Sequence, residues 1–86
     1  MSYEVEIAPA AKRQIKKLPR DVQQKLVAKL EELVFEPRPD GVKKLEGSEN
    51  LYRVRLEKYR IIYEIQDSLL LVTVVKVKHR RDIYRL

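Results

Sequence analysis

Among its 86 residues the chain has no cysteine. Disulfides, thiolate zinc sites and a cysteine nucleophile are therefore excluded. Histidine is nearly as scarce, His79 being the only one. A metal centre built from several histidines is excluded, and no acids cluster on the basic face described below, so neither metal nor cofactor is expected. Long apolar runs are missing too. The longest, Leu69 to Val75, falls far short of the ~20 residues that span a bilayer. Met1 to Glu6 has neither a basic start nor an apolar stretch, and is not expected to act as a signal peptide. These absences predict a soluble, cytoplasmic protein without a membrane partner. Repeats, low-complexity tracts and linkers are also lacking, so residues 1–86 are expected to form a single domain. A domain of this size buries a modest core and has little stability to spare.

What the chain does have is positive charge, unevenly spread. Residues 1–50 carry 10 Lys and Arg against 9 Asp and Glu, whereas residues 51–86 carry 9 against 4, within a net charge of +6. A basic half beside a near-neutral one suggests a surface for a polyanion. Nucleic acid fits such a surface, and so does an acidic protein.

Periodicity supplies the elements. Tyr3 to Ile7 alternates apolar and acidic residues, the signature of a half-buried strand. Pro9 suits the first turn of a helix, on which Ala11, Ile15 and Leu18 form a narrow apolar stripe. Pro19 stops it. A second helix is expected from about Arg20 to Phe35, burying Val22, Leu26, Leu30 and Leu33, with Val27 and Val34 widening the stripe. Glu36 to Gly41, with two prolines and a glycine, must be loop. Leu51 to Leu56 and Tyr59 to Ile65 both alternate, and only Glu57-Lys58 separates them, which predicts a tight hairpin. Those two residues lack the preferred Asn-Gly chemistry, so a turn one residue longer stays open. Leu69 to Lys78 reads as the most apolar and most central strand. His79 to Leu86 reads as a charged tail with two apolar anchors. The expected class is α+β, in the order β-α-α-β-β-β. A two-helix hairpin packs on one face of a mostly antiparallel four-stranded sheet and leaves the other face open.

Strand parity populates the open face. Arg53 and Arg55 point outward from one strand, and Arg60, Ile62 and Glu64 from the next. If Val75 and Val77 point inward, Lys76, Lys78 and Arg80 point outward. With a two-residue turn, Leu56 pairs with Tyr59 and Arg55 pairs with Arg60. Opposed arginines repel, and a marginally stable fold tolerates this more readily if an anion visits. Arginine's planar fork also suits phosphate. The bland alternative is a solvated face that keeps a small domain soluble, and charge alone does not separate the two. Tyr84 and His79 are the proton-transfer candidates near the basic stretch. Neighbouring arginines would favour a phenolate, but Tyr84 reads equally as a packing anchor, and parity puts His79 on the covered side. Tyr52, Tyr59 and Tyr63 read as core.

The ordered set Lys44-Leu45-Glu46-Gly47, Leu51-Tyr52-Arg53-Val54-Arg55-Leu56, Tyr59-Arg60-Ile61-Ile62-Tyr63 and His79-Arg80-Arg81-Asp82-Ile83-Tyr84 resembles the RelE toxins of the RelE/ParE superfamily. Ala8-Pro9-Ala10-Ala11-Lys12 and the Leu18-Pro19 break belong to the same resemblance, which covers essentially the whole chain. It implies the toxin of a type II toxin–antitoxin pair, acting as a metal-independent endoribonuclease that cuts messenger RNA in the ribosomal A site. The RNA's own 2′-OH attacks, leaving a 2′,3′-cyclic phosphate, and a cognate antitoxin blocks the toxin. The implied catalytic set is Arg53, Arg55, Arg60, Arg80 and Tyr84. Arg53 and Arg55 stand where some relatives have lysine, and are better read as electrostatic stabilisers than as proton carriers. Arg60 would clamp the scissile phosphate, Arg80 would serve the leaving oxygen and Tyr84 would be the general base. Lys76, Lys78, His79 and Arg81 would contact RNA. The competing expectation is a ParE-type inhibitor of DNA gyrase without nuclease activity. A third is a domain that binds RNA or antitoxin without activity.

Overall fold

The structure is a computed structural model that describes residues 2–83. In chain order its elements are β1 (Glu4–Ile7), α1 (Pro9–Lys16), α2 (Arg20–Phe35), β2 (Lys43–Lys44), β3 (Leu51–Leu56), β4 (Tyr59–Gln66), β5 (Leu71–His79) and the short α3 (Arg80–Ile83). The α+β class and the helix hairpin on one sheet face are as expected. Among the described residues five strands form the sheet, in the order β1-β5-β4-β3-β2. The additional strand is β2, whose two residues are too few to show any period. β1 lies parallel to β5, and the other pairings are antiparallel.

This order gives the helices a definite task. β1 and β2 are consecutive strands on opposite edges, so the chain between them must cross the sheet. α1 and α2 make that crossing on one face, and the loop after α2 completes it. Pro9 opens α1. Lys17 and Leu18 then donate to the carbonyls three residues back, Gln14 and Ile15, which tightens the end of the helix before Pro19. The Gln23 side chain of α2 also donates to the Ile15 carbonyl, a second bond at that acceptor that ties α2 to the end of α1.

The core is what the two patterns jointly bury. Leu26 and Leu33 of α2 and Ala11 of α1 meet Val54, Ile61, Tyr63, Ile65, Val72, Val74 and Val77 of the sheet. Removing a leucine side chain from water contributes about 1.5–3 kcal/mol, so α2 is the principal anchor. Its apolar stripe is narrower than expected, because Val27 is 54% exposed, and Leu30 and Val34 are half-buried.

Two corrections concern β5. Between Ile62 and Tyr63 the β4–β5 register shifts: Ile62 pairs with Lys76 and Tyr63 with Val74, so Val75 is the bulged residue. It is half-buried and not a partner of Val77 in the core row, which runs Val72, Val74, Val77. The bulge lets three valines at uneven spacing reach one face. It also leaves Lys76 and Lys78 on the outward side, as expected. The second correction is Arg80. The strand ends at His79, and Arg80 opens α3, so it is not the last outward residue of β5. Beyond Ile7 there is no β1 to cover β5, and α1 takes over that edge. Gln14 accepts the Val77 N–H through its side-chain oxygen at 2.7 Å, which protects an exposed strand edge.

Candidate nucleic-acid interface

The site is built by the β3–β4 hairpin. Glu57 and Lys58 form a two-residue loop, and Leu56 pairs with Tyr59. Glu57 sits at φ 55°, a conformation that non-glycine residues adopt at a cost. Contacts on both sides hold the turn there. Lys25 of α2 forms an ion pair with the Glu57 carboxylate, and the Lys58 carbonyl accepts the Arg80 backbone N–H. The short turn fixes the register, and the register sets the arginines: Arg55 faces Arg60.

β4 in turn pairs Arg60 with Lys78 of β5. Three cations thus lie abreast on adjacent strands, Arg55, Arg60 and Lys78. A second row, one pleat away, runs Lys43, Arg53, Ile62, Lys76. Partners directly across antiparallel strands have Cα atoms about 4.5–5.5 Å apart, so each row holds like charges at close range. Arg53 and Arg60 are half-buried while Arg55 is exposed, as expected of long side chains that bury their stems and keep the head in water. Lys43, Arg53, Arg55 and Arg60, with Gly41, line a concavity of about 340 Å³. That is near the lower end of small-ligand sites, about 300–1,000 Å³. Its chemistry is almost wholly guanidinium and ammonium. Such a surface can seat an anion and stabilise charge that develops on it, and guanidinium groups do not give up a proton near neutral pH.

The structure therefore brings Arg53, Arg55, Arg60, Lys76 and Lys78 onto one face. Arg80 and Arg81 are exposed on α3, beside the hairpin turn through the Arg80–Lys58 bond. His79 is on the covered side, where it pairs with Tyr59. The two rings meet edge to face with centroids 5.2 Å apart, and His79 Nδ1 accepts the Arg81 N–H. Tyr84 lies outside the described residues. Among those residues, no three His, Asp or Glu side chains come together as a metal-binding group, and no helix is long and apolar enough to cross a membrane.

Two features of the site have no counterpart in the sequence reading. One is the wall formed by Gly41 and Lys43. The other is a polar network around Arg38, in the loop between α2 and β2. Arg38 forms a two-pronged pair with Asp67, its Nη2 and Nη1 donating at 2.8 and 3.2 Å to the two carboxylate oxygens. Its Nε and Nη2 also donate to the Tyr52 hydroxyl at 3.3 Å, and its guanidinium carbon sits 5.0 Å from the Tyr52 ring centroid. Tyr3 donates to Asp67 at 2.7 Å. Hydrogen bonds from Arg38 and then Tyr3 hold the Asp67 carboxyl below the usual carboxylate range. The same carboxylate, as its hydrogen-bond partner, pushes the Tyr3 hydroxyl up. One residue earlier, the Pro37 carbonyl accepts the Tyr63 hydroxyl at 2.8 Å; burial raises that hydroxyl's pKa well above the usual tyrosine value.

Comparison with known proteins follows the same lines. The family model described as ParE toxin of type II toxin–antitoxin system, parDE, matches residues 5–84. The mRNA interferase toxin RelE of Escherichia coli is 30% identical over 88 residues, covering 98% of this chain and 92% of that protein. Toxin RelG of Mycobacterium tuberculosis is 31% identical over 90 residues and covers 99% of each. Among solved structures, the archaeal RelE–RelB complex from Pyrococcus horikoshii superposes with a TM-score of 0.85 at 31% identity, with both chains covered in full.

Proposed function

The chain belongs to the ParE toxin family of type II toxin–antitoxin systems, within the RelE/ParE superfamily, and on that premise we propose that it is a RelE-type toxin that cuts messenger RNA on the ribosome. The observation that carries this reading is the row Arg55, Arg60, Lys78 beside Arg53. A toxin that only docked on a neutral protein surface would gain nothing from like charges stacked across three strands, each pair opposing the fold. A phosphodiester relieves that repulsion, and relieves it most when its own charge is greatest.

The reaction supplies such a state. The ribose 2′-oxygen attacks the adjacent phosphorus while the bond to the 5′-oxygen of the next nucleotide breaks. The products are a 2′,3′-cyclic phosphate and a free 5′-hydroxyl. Negative charge builds on the non-bridging oxygens and the leaving oxygen. Fixed cations that need no reorganisation stabilise that charge more than the ground state. Arg60, central in its row, clamps the phosphate, with Arg53 and Arg55 beside it. Arg80, next to the hairpin turn, stabilises the charge on the leaving oxygen, which takes its proton from solvent. Tyr84 takes the 2′-OH proton; this role follows from the family. Lys76, Lys78 and Arg81 hold the flanking backbone. The packing of His79 on Tyr59 supports a place for it behind the face more than a direct RNA contact.

The partners proposed with this function are the ribosome and its mRNA, and a cognate antitoxin, the last by analogy with the relative solved as a RelE–RelB complex, all in the cytoplasm. An acidic or amphipathic antitoxin matches the basic face. The second reading, gyrase inhibition, is favoured by the ParE name of the matching family model. A paired assay separates them. We expect ribosome-dependent cleavage of mRNA in a translation extract and undisturbed gyrase supercoiling. Supercoiling inhibited without any cleavage would replace the nuclease with the gyrase inhibitor.

A further inference from the structure

Lys43 and Lys44 are adjacent, both exposed, and both on the edge strand β2. Lysine on an edge strand commonly guards against pairing with another chain, a duty either residue would perform. Pairing with β3 separates them. Lys44 is opposite Tyr52, whose ring serves the covered side, whereas Lys43 is opposite Arg53 and lines the basic concavity with it. Lys43 therefore belongs by position to the row of cations and Lys44 does not.

A two-residue strand holds its side chains only as firmly as the loop that delivers it. That loop runs past the end of the sheet and is pinned at successive points. The Pro37 carbonyl is tied to Tyr63, and Arg38 is tied to Asp67 and Tyr52. Val42 then turns back on the Pro39 carbonyl at 3.2 Å. Gly41 makes the final bend at φ 88°, where a side chain would be strained. The Arg38–Asp67 pair is exposed on both sides, and such pairs add little to stability. Its reach is what distinguishes it. One guanidinium joins the loop to β3 through Tyr52, to the turn before β5 through Asp67 and, through Asp67, to Tyr3 ahead of β1. Tyr52 and Arg53 are neighbours on β3 with opposite faces, so Arg38 braces the back of the strand whose front carries the site.

We propose that Lys43 is a further RNA-phosphate contact of this site and that Arg38 is the positioning residue that holds it there. The proposal rests on the RNA-cutting reading above. Lys43 closes the concavity on the side away from β5, so the backbone it meets is the stretch leaving the row Arg55, Arg60, Lys78 toward β2.

The test uses the full chain and ribosomes programmed with an mRNA whose attacking 2′-oxygen is methylated, so that binding is read without cutting. Affinity is followed against salt concentration. Each phosphate contact to single-stranded RNA contributes about 0.7 to the slope of log affinity on log salt. Lys43→Gln should lower the slope by about that amount, Lys43→Arg should keep it, and Lys44→Gln should leave it unchanged. Arg38→Lys retains the charge but loses the planar fork. It should lower the slope as Lys43→Gln does, and the double variant should fall no further. Equal losses for Lys43→Gln and Lys44→Gln, or no loss for Lys43→Gln, would overturn the contact. An unchanged slope in Arg38→Lys, with only thermal stability lowered, would overturn the positioning role. Cleavage of unmethylated mRNA by the wild type is measured alongside. If the wild type neither binds nor cuts, the function reading falls and this proposal with it; if the wild type cuts and the Lys43 variants behave like it, the proposal falls alone.

Discussion

Arg55 and Arg60 are set against each other by a two-residue turn, and what the fold loses there the site gains. Like charges directly opposite on antiparallel strands cost a few tenths of a kcal/mol to about 1 kcal/mol. Arg55→Gln keeps most of the side-chain volume and removes the repulsion. It should raise the thermal midpoint by roughly 1–8 °C at low salt, given about 4–8 °C per kcal/mol in a domain of this size. The gain should shrink as salt screens the pair. Cleavage by the same variant should fall. A midpoint that does not move, or moves down, would mean that the pair carries no strain. Arg60 stands at the centre of its row, so Arg60→Ala should abolish growth inhibition while leaving antitoxin binding intact. A growth assay with a pull-down on the antitoxin reads both, and a variant that stayed toxic would remove Arg60 from the phosphate clamp. Both residues were legible in the sequence as outward-facing, because alternation on either side of Glu57-Lys58 fixes parity; their pairing followed only from a two-residue turn, which the residue chemistry left open and the register supplies. Lys43 was not. With two residues β2 has no period, and its face is known only from the strand beside it.

Elements differ in how much of themselves they disclose. α2 and β3 could be read to their end residues because each is bounded by a break, Pro19 and Pro37 for the helix and the turn for the strand. β5 could not. Its first residues are an almost unbroken apolar run, and such a run carries no parity until a partner strand supplies one. The bulge at Val75 changes parity partway, so counting back from Val77 reaches the wrong face there although Lys76 and Lys78 come out correctly. The loop from Glu36 to Val42 was legible only as a loop. Its course depends on side chains far away in sequence: Tyr63 holds the Pro37 carbonyl, and Asp67 holds Arg38. Tyr63→Phe tests that course. The ring would still fill the core, but a carbonyl beside it would lose its donor. An unsatisfied buried group of this kind costs about 1–3 kcal/mol, so the midpoint should drop by several degrees. Because the loop delivers β2, protease sensitivity between Pro37 and Gly41 should rise in the same variant. A lower midpoint with an unchanged digestion pattern would confine Tyr63 to packing.

At the scale of the whole molecule, charge is arranged so that the fold and the site respond to different conditions. The site is a field of cations, so its affinity for RNA should fall steeply with salt. The loop that closes the site depends on a titrating carboxylate. Asp67 is held below its ordinary value by Arg38 and Tyr3. Its contribution is therefore complete above the ordinary carboxylate range, near 3.8, and is lost as pH falls below that and through the lowered folded value. Tyr3 behaves in the opposite sense. Its hydroxyl is raised above 10.0, so the bond to Asp67 is fully present below that value and is lost as pH rises through the raised one. Between these limits the network joining β1, the loop, β3 and the turn before β5 should be intact. Acid should open it at the loop before the core gives way, since the core is apolar and contains no buried charged group among the described residues. Hydrogen exchange followed from pH 5 downward, corrected for the intrinsic rate, should show the amides of residues 38–44 losing protection first and those of β4 and β5 last. In Asp67→Asn the loop amides should be weakly protected at every pH and the early acid step should vanish. Simultaneous loss at the loop and in β5 would show that the network belongs to the global unfolding unit, and that the wall of the site is as stable as the sheet behind it.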